Sequence, residues 1–127
     1  RVSLNSVRSA YYSRYFRPRT YSFSDVLASI AVANKMNKFV SINYFVQPGF
    51  TDSPAEVRAF FRFLSKHPID LIQWRNLNYD PRKYYCELFG QQGWPRHFYG
   101  IRQLIREVAL LFPHIKHGYF NPPKEKW

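Results

Sequence analysis

The chain has 127 residues, of which 46% are hydrophobic and 20% aromatic, with a formal net charge of +11. That length suits one domain with a modest core, and so many apolar side chains exclude a disordered chain despite the charge. No run of 18 apolar residues occurs, so no transmembrane helix is expected, and the single cysteine excludes an internal disulfide.

The opening, RVSLNSVR, has no initiator Met and no apolar signal segment, and it reads as the middle of a strand. A chain cut from something longer is therefore expected. Residues 2–6 form the first predicted strand, followed by a basic, tyrosine-rich loop, SAYYSRYFRPRTY. Ser22 and Asp25 offer N-cap chemistry for a helix that carries Val26, Leu27, Ile30, Ala31 and Ala33 and stops near Asn37. Residues 39–46 form the second predicted strand, rich in Phe, Val, Ile and Tyr.

Pro48-Gly49 then turns the chain. Ser53 and Glu56 form an S-x-x-E capping box, and Pro54 stands at the first helical position, where its missing N–H costs nothing. Val57, Phe60, Phe61 and Leu64 trace the apolar stripe of that helix. Residues 70–78 form the third strand. A short helix over residues 84–89 and a Gly-rich turn follow, then a helix over residues 99–112 with Ile101, Leu104, Ile105, Val108, Leu111 and Phe112 on its apolar side. Residues 115–120 form the fourth strand, Pro122-Pro123 closes the domain (residues 1–123), and residues 124–127 are an exposed tail.

Strands alternating with helices predict an α/β fold with a parallel sheet, either doubly wound or part of a (β/α) barrel. The strands are more polar than a sheet covered on both faces tolerates. Ser3, Asn5 and Ser6 lie on the first, Ser41 and Asn43 on the second, and Gln73, Arg75, Asn76 and Asn78 on the third. Ser3 and Asn5 share one face by period two, as do Ser41 and Asn43. In an open sheet each buried amide needs a partner or costs a few kcal/mol. In a barrel these groups point to the axis and line a polar mouth, so Asn43 is expected to face a ligand chamber.

The stretches "RVSLNS", "VSINYFVQPGFTDSPAEV", "DLIQWRNLNYDP" and "IKHGYFNPPKE" resemble the later strands and turns of radical S-adenosylmethionine (radical SAM) enzymes, over residues 2–125. The resemblance implies the C-terminal half of a partial TIM-type (β/α)6 barrel. It implies S-adenosylmethionine and a [4Fe-4S] cluster as cofactors of the intact protein, which cleaves SAM to a 5′-deoxyadenosyl radical. The Cys-x3-Cys-x2-Cys loop that binds the cluster is absent here, so this chain should be silent alone and its partner would be the N-terminal half of the barrel. Carried over by strand, Ser3 and Asn5 match positions that contact the SAM carboxylate or ribose. Arg8 lies just beyond and is suited to a carboxylate. Asn43 matches a position beside ribose or adenine, and Arg75, Asn76 and Asn78 match the end of the sixth strand. Arg75 and Asn76 have opposite parity, and Arg75 is the one expected to reach the chamber.

The substrate is not legible. Cys86, beside Tyr84, Tyr85 and Leu88, reads as a buried small hydrophobe, and His114 and His117 as surface residues rather than metal ligands. Low cysteine use fits a reducing cytoplasm. The rival reading is a basic, non-enzymatic module for nucleic acid or for partner docking, with Tyr11, Tyr12, Tyr15 and Phe16 stacking on bases between Arg14, Arg17 and Arg19. Open strand edges predict self-association.

Overall fold

The computed structural model describes residues 1–90, 93 and 96–118. Four parallel strands, β1 (Val2–Leu4), β2 (Ser41–Val46), β3 (Leu71–Asn76) and β4 (Lys116–His117), pair in the order β1-β2-β3-β4. Five helices accompany them among the described residues: α1 (Ser9–Phe16), α2 (Phe23–Lys35), α3 (Pro54–Lys66), α4 (Pro81–Phe89) and α5 (Ile101–Leu111). The α/β class and the parallel sheet agree with the sequence reading.

Local chemistry sets the helix ends. The Asp25 carboxylate accepts from both the backbone N–H and the hydroxyl of Ser22 at 2.7 Å, which starts α2. Asn37, at φ +53°, lets the Lys38 N–H bond back to the Ala33 carbonyl at 2.9 Å, which ends it. Asp80 caps α4 by accepting from the Lys83 N–H at 2.7 Å. At α3 the expected box does not form: Ser53 makes no side-chain cap bond, and Glu56 reaches elsewhere.

The pairing register places Ser3 beside Asn43 and Asn43 beside Gln73, while Leu4 meets Tyr44 and Tyr44 meets Trp74. Alternation then gives the sheet two different faces. Leu4, Ile42, Tyr44 and Ile72 form an apolar face that packs against Phe23 and Ile30 of α2, Phe60, Phe63 and Leu64 of α3, and Leu104 and Val108 of α5. Each fully buried side chain of this size contributes about 1.5–3 kcal/mol. All three crossover helices therefore share one face. The opposite face carries Ser3, Asn43 and Gln73.

Several expectations are corrected. The stretch after β1 is not a loop: residues 9–16 form α1, with Tyr12 buried and packed on Phe23 (ring centroids 4.9 Å apart). Its N-cap, Arg8, makes no side-chain cap bond, so no capping signal marks the start. Cys86 lies on the exposed side of α4, because Tyr84, Tyr85 and Leu88 take the buried positions. Leu111, expected on the apolar side of α5, is 59% exposed, since α5 buries only Leu104 and Val108 fully. Part of the turn after α4, the last residues of the fourth strand and the tail (residues 119–127) lie outside the described residues.

Candidate functional site

The polar face begins with one rung of three side chains. Ser3, Asn43 and Gln73 stand side by side on adjacent strands, and Gln73 is buried at 1% exposure. The Asn43 Oδ1 and Gln73 Nε2 atoms are buried, and neither has a hydrogen-bond partner among the described residues. One is an acceptor and the other a donor, adjacent in register. Unpaired buried polar atoms of this kind cost about 1–3 kcal/mol each.

Toward the C-terminal ends of the strands, α1 and α4 roof this face. Tyr15 and Phe16 meet Phe45, whose ring lies one rung above Asn43 (centroids 6.0 and 6.2 Å). Tyr84 and Phe50 meet edge-on at 5.8 Å. Asn5 is fully buried beneath this roof, and its Nδ2 donates to the Tyr11 carbonyl and the Tyr84 hydroxyl, each at 3.2 Å. Its amide nitrogen therefore holds α1 and α4 to the end of β1.

A second polar centre lies on the helix side. The Glu56 carboxylate is fully buried, and its Oε1 accepts from the Ser6 hydroxyl at 2.5 Å, the Val7 N–H at 3.3 Å and the Tyr44 hydroxyl at 3.3 Å. Oε2 has no hydrogen bond among the described residues and lies 4.0 Å from an Arg8 guanidinium nitrogen. Burial pushes the Glu56 carboxyl above its ordinary value, outweighing the Ser6 bond and the Arg8 charge that pull it down. The carboxylate that Arg8 faces is thus one of the chain's own, although Arg8 is still partly exposed.

The other expected site residues separate. Arg75 pairs with Phe45 in register, so it belongs to the polar face, and it is exposed at the strand end. Asn76 pairs with Val46 on the helix side and lines a cleft of about 350 Å³ with Trp74, Ile101, Ile105 and His117. Asn78 is exposed in the connection to α4. The fold does not bring Asn76 and Asn78 to the rung. Within the cleft the Trp74 indole N–H donates to His117 Nδ1 at 2.9 Å.

Two residues were missed from sequence. Gln73 was visible as a polar strand residue, and only the register with Asn43 singles it out. Glu56 looked like a capping acid, and its partner Ser6 lies 50 positions away. Gly49 serves the fold: its φ is +88°, and a Cβ there would run into the Tyr85 hydroxyl, which itself donates to the Pro48 carbonyl.

The residues present do not fit an iron–sulfur cluster. Cys86 is a lone exposed thiol, and no group of three His, Cys, Asp or Glu side chains among the described residues could hold a metal ion. They do fit an uncharged polar ligand edge, because the orphaned atoms of Asn43 and Gln73 want a donor and an acceptor. No helix among the described residues is long and apolar enough to cross a membrane. No protein-family model, curated protein or solved structure matches the chain.

Proposed function

We propose that the chain forms the later strands of a partial (β/α)6 barrel of the radical SAM type and supplies one wall of its SAM and substrate chamber. The observation that carries this reading is the two-faced sheet. Its strands run in sequential order, its three crossover helices share the apolar face, and the Ser3–Asn43–Gln73 rung stands on the other. A doubly wound sheet reverses its order and places helices on both faces. Sequential winding with the helices on one outer face is what a barrel segment requires.

On this reading Ser3, Asn43 and Gln73 would hold the polar edges of SAM, with Arg75 at the chamber rim. SAM would supply the adenosyl group for radical chemistry in the intact barrel. The chain's own part is to bind and orient it and to exclude water with the aromatic roof of α1 and α4. The cluster would be held by a preceding half-barrel, and β1 supports that arrangement because it ends the sheet with one edge unpaired among the described residues. A reducing, cytoplasmic setting belongs to the same proposal.

The codons upstream of the one for Arg1 provide the test. An in-frame Cys-x3-Cys-x2-Cys within about 150 codons, the length of one domain, is the expected result. A start codon immediately upstream with no such motif would overturn the reading.

A further inference from the structure

A concavity of about 420 Å³ opens beside the first turn of α3, away from the polar rung. Arg8 from the β1–α1 connection, Arg58 from α3, and Arg96 and His97 from the α4–α5 connection all line it. Tyr11, Phe50 and Phe89 form its apolar wall. Three segments far apart in sequence thus contribute three arginines to the lining of one small space. A concave surface lined by several cations and, among the described residues, by no exposed acid raises the local concentration of anions.

Two of the three cations are not already spent. Arg58 and Arg96 form no ion pair among the described residues, in contrast to Arg17, which pairs with Glu87 at 3.2 Å. Arg8 touches Glu56 only at 4.0 Å and lies over the Tyr11 ring at 4.5 Å from its centroid, which fixes its direction beside the cleft. Glu56 gives Oε1 to Ser6, Val7 and Tyr44, and its Oε2 offsets part of the Arg8 charge alone. Ser53, Pro54 and Ala55 complete the lining from the start of α3.

We propose that this cleft is a binding site for the phosphate group of a small phosphorylated molecule, held by Arg8, Arg58 and Arg96. Guanidinium groups match phosphate oxygens two at a time, and the apolar wall favours a compact ligand over a long polyanion. The proposal does not rest on the radical SAM reading. A nucleic-acid strand needs a row of cations spaced along a groove, whereas these line one compact cleft.

Calorimetric titration of the chain with inorganic phosphate, with adenosine monophosphate and with a single-stranded oligonucleotide tests it. Saturable one-site binding of either phosphate compound is expected, weakened about tenfold or more by Arg58→Ala or Arg96→Ala, as expected for the loss of one charge-assisted bond. Arg106→Ala, on an exposed face of α5 outside the cleft, should leave the affinity unchanged. Equal affinity for the two compounds indicates a free-phosphate site, and tighter binding of the nucleotide indicates that the wall contacts its base or sugar. Arg58 and Arg96 are exposed, and unchanged thermal melting would show that the variants fold. The proposal is overturned by absence of saturable phosphate binding, by equal loss in Arg106→Ala, or by binding of the oligonucleotide alone with a steep salt dependence.

Discussion

The Ser6 hydroxyl donates to Glu56 Oε1 at 2.5 Å, joining the end of β1 to the first turn of α3 across 50 positions of sequence. The Tyr44 hydroxyl and the Val7 N–H reach the same oxygen, so one buried carboxylate ties β1, β2 and α3 together. Its position explains the missing cap on α3.

Glu56 makes stability fall as pH rises. Its folded pKa lies above the ordinary 4.5, so its contribution is fully present below pH 4.5 and is lost as pH rises through the folded value. Glu56→Gln keeps an acceptor for all three donors and never ionises. Chemical denaturation at pH 4 and pH 8 should show the variant gaining on the parent chain at the higher pH. Glu56→Leu, which orphans the Ser6, Val7 and Tyr44 donors, should destabilise by about 2–4 kcal/mol at both. A parent chain whose advantage over Glu56→Gln grows with pH would contradict this account.

Alkali should unfold the protein in step with tyrosine ionisation. Burial raises the hydroxyls of Tyr44 and Tyr84 above the ordinary 10.0, and burial with the Tyr21 contact does the same for Tyr12. The unfolded chain loses these protons first, so stability drops above pH 10. Absorbance at 295 nm should rise cooperatively, together with loss of the circular dichroism signal. Complete tyrosine titration before any loss of structure would refute it.

Gly49→Ala should destabilise by about 1–3 kcal/mol, through its positive φ and the collision with Tyr85. Tyr85→Phe removes the hydroxyl, so the alanine should cost less in that background. Additive penalties in a double-mutant cycle would show that the collision is absent.

The outer edge of β1 should promote association, because it presents backbone groups unpaired among the described residues. Size-exclusion chromatography with light scattering should show mass increasing with concentration. A monomer of 15.3 kDa throughout a millimolar range would count against an open edge.

Much of the fold was legible because it depends on local period. The alternation in residues 41–46 and the apolar stripe of α3 specify elements wherever they occur, and the order of strands and helices followed. What escaped was non-local. The first helix has no capping residue to announce it, and Pro18 with its aromatic neighbours reads as a loop until Tyr12 is seen packed on Phe23. The side of α4 on which Cys86 falls depends on where Tyr84 and Leu88 find their core. At the site, Asn43 was readable from its strand position. The distinction between Gln73 and Asn76 required the register with β2.

Gln73 and Asn43 also separate stability from function. Gln73→Leu replaces an amide whose Nε2 has no partner among the described residues, so it should be neutral or stabilising by about 1 kcal/mol. A loss above about 2 kcal/mol in urea denaturation would mean that the amide holds the fold.

The central claim is that the Ser3–Asn43–Gln73 rung is a ligand wall, and the side-chain amide signals of the chain test it most directly. In a titration with SAM followed by 15N-resolved NMR, the NH2 signals of Asn43 and Gln73 should shift saturably while that of Asn78 stays fixed. Invariant Asn43 and Gln73 signals at millimolar SAM, or shifts confined to residues off that face, would contradict the account.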